Sequence, residues 1–498
     1  AQAPLAICFP TPLLAGSSFA GGFGRDGLGA GPSAGAPLLA LSAWSPAVMS
    51  MAASRVAALA GAGAVLHASL GRRRSGAAAR AEGRGAPVGA PYPQHAGMEL
   101  RLVQVLHRHG ARTPFVVLPG MPQPDSPEWS SLWGQCRRSP KARAAAAAGA
   151  GADQRSSGVP LSGEAAGPAG GGASSGVFGT CGKGQLTRYG EEQLERLGAF
   201  LRGEYLEGPR GRLLSPGPLP PADQVVTTST KTSRTIRSAQ ALLRGLFPQA
   251  EEAEVEALVE VPRTFADEVL IANYPRCDRL RQLFHEVKGH LDSSLLFVHT
   301  RRRLTEELGP RSEKLTLIGA GDPLRALHGQ GLPIPSGVSD DLRRQLDACG
   351  HEMVDVAHGR HSAEMRRLGM GLLVAEMHGQ ILAAVDGRTP LRCVLRSAHD
   401  VSVCGLLTAL GLQVHDWPQF ASSIIVELLR DLGSGDFQVR IVAYDGVPGE
   451  EEGNKVVDVT VPLEAWGETV RPLLLTEQEY LQECSLPLGM AKPPPQVW

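Results

Sequence analysis

Leu100 to Leu106 alternates and is rich in branched apolar residues, which predicts a strand. It runs into the polar, glycine-containing stretch His107 to Arg112, after which Pro114 and Pro119 fix a loop. Order resumes at Gly184-Gln185-Leu186-Thr187. Behind it Leu194, Leu197, Phe200, Leu201 and Leu206 recur at helical spacing, with Thr187 as N-cap and Glu191 in the first turn. Gln224 to Thr228 predicts a second strand, and Ala239, Leu242, Leu243 and Leu246 give the following helix its apolar face. From 250 to 386 the spacing is mainly helical, with loops near Pro275 and Pro333. Leu391 to Leu395 predicts a buried strand that ends in Ser397-Ala398-His399-Asp400, before an apolar helix from Val401 to Leu412.

Strands alternating with helices predict an α/β fold, a mostly parallel sheet flanked by helices. The α/β domain spans 99–249 and 387–498, and a mainly helical cap, 250–386, is inserted between its two parts. Ligands of such sheets gather at the carboxyl ends of the strands. The three polar clusters all sit there.

Two stretches break the pattern. Residues 137–176 are rich in Gly, Ala and Ser without periodicity, so they read as a flexible insertion. Residues 1–98 form a low-complexity extension. Between Met51 and Glu99 it carries Arg55, Arg72, Arg73, Arg74, Arg80 and Arg84 against a single acid, Glu82. Ala-rich, Arg-rich and acid-poor is the composition of a mitochondrial transit peptide. The competing reading takes Val56 to Leu70 as the apolar core of a secretory signal, with a secretory or lysosomal destination. That run is too short and too broken by glycine to span a bilayer, and no transmembrane span is expected.

A net charge of -1 and a pI near 7.0 give no global attraction to nucleic acid or an anionic membrane. Binding of an anion must come from locally focused charge. Eight cysteines in 498 residues are too sparse for a disulfide scaffold, and no Cys/His cluster has zinc spacing. Most read as buried or free thiols, with one or two bridges involving Cys277 or Cys484 left open.

The polar clusters carry candidate chemistry. A phosphate ester needs cations that match its oxygens, a nucleophile in line with phosphorus, and an acid for the leaving alcohol. Arg108 and Arg112 flank His109, and a guanidinium fork holds two phosphate oxygens at once. Gly110 removes a side chain so that backbone can approach the anion. A neutral His109 imidazole can attack phosphorus, and the neighbouring arginines disfavour its charged form.

The segment Leu106-His107-Arg108-His109-Gly110-Ala111-Arg112-Thr113-Pro114 resembles the signature of the histidine acid phosphatases, the high-molecular-weight branch of the histidine phosphatase superfamily. Gly184-Gln185-Leu186-Thr187 with Gly190, Thr228 through Thr235 with Ser238-Ala239, Ser397-Ala398-His399-Asp400, and Trp417 through Ser423 resemble that family's later blocks, in order. The resemblance implies His109 as nucleophile, with Arg108, Arg112, Arg234 and His399 on the phosphate. Asp400 then protonates the leaving oxygen and activates water in the second step. One departure is Thr228, where many members have Arg. No metal or cofactor is implied.

Asp267 to Leu270 through Asn273-Tyr274-Pro275, His328 to Pro333, and His415 to Pro418 are similar to members that hydrolyse lysophosphatidic acid in mitochondria. The implied ligand is a small-molecule phosphate monoester, a lysophospholipid, handled by a monomer without nucleic acid. Three alternatives stand beside it: a soluble ester such as an inositol phosphate or phosphorylated sugar, a phosphate-binding regulator without turnover, and a mutase of the same superfamily. Intact His109 and Asp400 argue against the second. Mutases favour a Glu donor elsewhere, which argues against the third.

Overall fold

Met98 to Arg108 run as one strand, β1, longer at both ends than alternation predicts. The reason is its place at the centre of a sheet, with a hydrogen-bonded neighbour on each edge. The protein is seen here as a computed structural model that describes residues 97–124, 126–137, 178–208, 213–214, 218–412, 416–450, 453–486 and 493–494. The expected leader and almost all of the expected insertion lie outside the described residues.

The strands of the main sheet are β1, β4 (Val225–Ser229), β5 (Val259–Glu260), β6 (Cys393–Ala398), β7 (Ser423–Asp431), β8 (Phe437–Asp445) and β9 (Asn454–Pro462), in the order β5-β4-β6-β1-β7-β8-β9. The half β5-β4-β6-β1 is parallel, and β7, β8 and β9 pair antiparallel. Five of the seven strands, β8 included, point the same way. The α/β class and its mostly parallel sheet therefore stand. The antiparallel meander at one edge is not foreseen from the sequence. A short pair, β2 (Gln135–Arg137) and β3 (Phe178–Thr180), brackets the unlabelled insertion and is pinned by the Cys136–Cys181 disulfide.

β1 is covered on both faces, which is why its sequence is nearly all apolar. Leu102 and Leu106 join a core that includes α7 (Leu317–His328), α8 (Asp340–Ala357) and α9 (Ala363–Val385). Val103 and Val105 join a second core with α2 (Arg188–Tyr205) and α3 (Ser233–Leu246). The remaining helices are α1 (Pro127–Trp133), α4 (Glu252–Ala257), α5 (Asp278–Asp292), α6 (Leu295–Leu308), α10 (Asp400–Ala409), α11 (Leu463–Val470) and α12 (Glu477–Glu483).

Among the described residues α9 alone is long and apolar enough to cross a membrane. It is instead packed on β1: Gln104 donates to the Met377 carbonyl at 2.9 Å, and the buried Arg396 reaches Glu376 and Gln380 on the same helix, each at 2.8 Å. Cys277, before α5, is bonded to Cys484, after α12. Cys349, Cys393 and Cys404 are buried free thiols. Two bridges thus form where spacing alone favours thiols, because pairing depends on through-space approach that spacing does not encode.

Candidate active site

Backbone hydrogen bonds lace the ends of β1, β4 and β6 into one rim. The His109 amide donates to the Ala398 carbonyl at 3.0 Å, Thr230 to Ser397 at 3.1 Å, and Arg108 to Ser422 at 2.8 Å. The sheet order β4-β6-β1 makes these three ends neighbours. His109, Arg108, Arg112, Arg234, His399 and Asp400 are brought together there, although up to 292 positions separate them in sequence.

His109 is buried, and its Nδ1 lies 2.9 Å from the Gly110 carbonyl. A carbonyl only accepts, so the proton sits on Nδ1 and the Nε2 lone pair is presented for attack. Burial holds this imidazole well below the ordinary histidine range, and Arg234, Arg108 and Arg112 push it further the same way. A neutral nucleophile therefore persists at acidic pH.

Gly110 has a further role that its own block does not display. A Cβ there would lie 2.1 Å from the Gly190 carbonyl oxygen, and one on Gly190 would lie 2.1 Å from the Ala111 oxygen. The two glycines let the pocket loop lie against the first turn of α2. Close packing by itself requires glycine at position 110. Thr187 caps α2 as expected, accepting from the Gly190 amide at 3.2 Å and donating to the Ala111 carbonyl at 3.1 Å. Gln193 Oε1 and Ser238 Oγ accept the Ala111 and Gly110 amides at 2.8 and 3.1 Å.

The three arginines each lie against an aromatic ring. Arg108 sits 4.2 Å above Phe420, Arg112 4.2 Å above Phe115, and Arg234 5.0 Å from Phe115. Arg108 donates to the Pro418 carbonyl and pairs with Asp400 Oδ2 at 2.8 Å. Burial draws it down to about 10, against the opposing pull of Asp400, so it stays charged. Arg112 pairs with Asp322 Oδ1 at 2.6 Å. Among the described residues, neither Arg108 Nε nor Arg112 Nε has an acceptor, which leaves buried donors suited to an anion.

Asp400 is the first residue of α10, and its Oδ1 accepts the Val401 amide at 2.9 Å. Burial alone raises its carboxyl, but Arg108, Arg112 and His399 outweigh that and hold it at about 2. His399 Nδ1 is 3.2 Å from Arg234 Nη2, which can only donate; Nε2 then carries the proton toward Thr230 Oγ1 at 3.0 Å. Burial keeps His399 well below its usual range, with Arg234 adding to the effect.

Several members of this site escape sequence reasoning. Asp322 hides in an Asp-Pro pair inside α7, which reads as a turn rather than as a site. Thr230 lies within a recognised block but carries no charge to single it out. Phe115 and Phe420 look like ordinary loop aromatics. Gln330, inside the expected His328–Pro333 block, does have a role here, donating to the Arg112 carbonyl at 3.2 Å. Thr228 lies on β4 beside Arg396 of β6. His415 lies outside the described residues. No group of three metal-ligating side chains occurs among the described residues.

Residues 99–317 match the family model described as histidine phosphatase superfamily, branch 2. The match ends before His399 and Asp400. The chain is 28% identical to lysophosphatidic acid phosphatase type 6 of Bos taurus over 408 residues, 78% of this chain and 86% of that one. It is 27% identical to prostatic acid phosphatase of Mus musculus over 325 residues, 61% of this chain and 81% of that one. Among solved structures, the apo phytase of Hafnia alvei superposes with a TM-score of 0.51 at 14% identity, covering 79% of this chain and 99% of that one. That likeness is one of fold.

Proposed function

Because this chain belongs to the histidine acid phosphatase family, branch 2 of the histidine phosphatase superfamily, and is a phosphoric monoester hydrolase, we propose that it hydrolyses lysophosphatidic acid to monoacylglycerol and phosphate. The observation that carries the chemistry is the neutral, Nδ1-protonated His109 facing three guanidiniums and Asp400. In the proposed first step Nε2 attacks phosphorus, the bond to the alcohol oxygen breaks, and Asp400 gives that oxygen its proton. In the second, the Asp400 carboxylate takes a proton from water, whose oxygen attacks phosphorus, and the P–N bond breaks to return His109. Arg108, Arg112 and Arg234 hold the phosphoryl oxygens and offset the charge that builds there. His399 contributes a hydrogen bond once its Nδ1 carries the proton.

The lipid reading is supported by the likeness to lysophosphatidic acid phosphatase type 6 and by the state of the cap cations. In the Arg301-Arg302-Arg303 cluster two of the three cations have carboxylate partners: Arg302 pairs with Glu306, and Arg303 with Glu307 and Asp341, while Arg301 donates to the Leu315 carbonyl. The paired two offer a densely phosphorylated alcohol little. A turnover panel on the full chain tests the reading. The specificity constant is expected to rise by about tenfold or more from glycerol 3-phosphate to a long-chain lysophosphatidic acid, which corresponds to a few buried methylenes. Equal or better turnover of inositol phosphates and sugar phosphates would sink it.

For location, the mitochondrial leader and the secretory alternative remain proposals, and the Cys136–Cys181 and Cys277–Cys484 disulfides favour an oxidising compartment on either route. Alkylation of denatured protein taken directly from cells checks this. These four cysteines should resist until reductant is added, and their immediate reaction would point to a reducing compartment.

A further inference from the structure

Arg112 is held by a carboxylate that the reaction does not use. Asp322 Oδ1 accepts from Arg112 Nη2 at 2.6 Å, while Oδ2 accepts the Phe115 amide at 2.7 Å. Both partners are buried, and the aspartate comes from α7, a helix of the region between β5 and β6. The arrangement is unusual for an anion site. An acid buried against one of three phosphate-binding cations subtracts from the attraction that the site needs. The cost is tolerable only if the positive charge required is small.

We propose that Asp322 is a specificity-determining residue, restricting the site to esters that carry one phosphate on an uncharged alcohol. The inference rests on the phosphoric monoester reading above and not on the acyl chain. Three guanidiniums, two carboxylates and two neutral imidazoles leave a single net positive charge for the group that binds. One phosphate is accommodated by that charge. A second or third phosphate on the same alcohol adds negative charge that this single positive charge does not balance, and the buried Asp322 carboxylate repels it. Of the nearby cations, Arg325 is committed, pairing with Asp347 at 3.2 Å and stacking 4.3 Å from Trp417, while Lys231 donates to the Arg263 carbonyl at the surface.

Asp322 also positions. Its two oxygens tie the Arg112 guanidinium to the backbone at Phe115, so the ring that backs both Arg112 and Arg234 is fixed by the same carboxylate. Two substitutions weight charge and position differently. Asp322→Asn keeps the shape and one acceptor, for Arg112, but removes the charge and the acceptor of the Phe115 amide. Asp322→Glu keeps the charge and shifts the tie.

The test measures competitive inhibition constants of inositol hexakisphosphate and of inorganic phosphate against p-nitrophenyl phosphate turnover, for wild type and both variants. In wild type the hexakisphosphate is expected to bind no more tightly than inorganic phosphate. Asp322→Asn should shift the ratio of the two constants toward the hexakisphosphate by about tenfold or more, since removing a like charge favours the more highly charged inhibitor. Asp322→Glu should leave that ratio within about twofold of wild type while lowering kcat through misplacement of Arg112. A wild-type constant for the hexakisphosphate tenfold below that for phosphate overturns the proposal without any variant. So does an unchanged ratio in Asp322→Asn. The acyl-chain panel can fail on glycerol 3-phosphate or a sugar phosphate while this discrimination holds.

Discussion

Replacing His109 with alanine is expected to lower kcat by on the order of 10⁴ to 10⁶ while leaving a folded protein, because every other group in the pocket acts on a bond that only the imidazole can form. The ring is set up for one task. Its Nδ1 proton is committed to the Gly110 carbonyl, and burial with three guanidiniums nearby keeps it neutral. Rapid acid-free quenching of a turnover with ³²P-labelled ester should trap label on wild type as an acid-labile phosphoramidate, and none on His109→Ala. Label of equal amount on the variant would move the nucleophile elsewhere.

The same substitution has a readable effect on stability. His109 is neutral in the fold but charges in the unfolded chain below the ordinary histidine pKa. The unfolded state therefore binds more protons, and stability falls as pH drops from about 6.5. His107, held down to about 4 by burial, and His399 act in the same direction. Removing one of the three should make the variant less acid-sensitive than wild type, by up to about 1.4 kcal/mol per pH unit below 6.5. Urea unfolding at pH 7 and pH 5 checks this. A larger loss in the variant at the lower pH would show that His109 is charged in the fold.

What the sequence reveals of this site is what local chemistry can carry. Arg108, His109 and Arg112 share one turn, so a short window displays the cations, the nucleophile and the strand that presents them. His399 and Asp400 are legible for the same reason, as a polar step between an apolar strand and an apolar helix. Asp322 is different. Its function depends on α7 being laid over the pocket, a consequence of helix packing that no periodicity states. The strands β7 to β9 were hidden for a related reason: their apolar runs are buried within a sheet whose partners lie far along the chain, and the antiparallel order emerges only from pairing. Gly110 is legible as a residue, but the neighbour that packs against it, Gly190, comes from another block.

Asp400→Asn is expected to slow alkyl phosphate esters by on the order of 10² to 10⁴, and an activated aryl ester much less, because an amide cannot deliver a proton to a poor leaving oxygen. The pH dependence follows from where that proton resides. Paired with Arg108 at 2.8 Å, the Asp400 carboxyl is held at about 2, so between that value and neutrality it is ionised before substrate binds. A phosphate group that engages Arg108 takes away its countercharge and puts an anion beside it. Both changes raise its affinity for a proton. The substrate can supply one, since a phosphate monoester below about pH 6 still carries its second proton. Binding the monoanion to an ionised Asp400 is thus equivalent, in protons, to binding the dianion to a protonated one.

The wild-type kcat/KM should accordingly hold through acidic pH and decline above the second pKa of the substrate, not above that of Asp400. Two esters with the same alcohol size but different second pKa values separate the cases. If the declining limb moves with the substrate, the leaving-group proton arrives with the phosphate. If it stays fixed for both, an enzyme group titrates there, and the low value of Asp400 set by Arg108 does not govern catalysis.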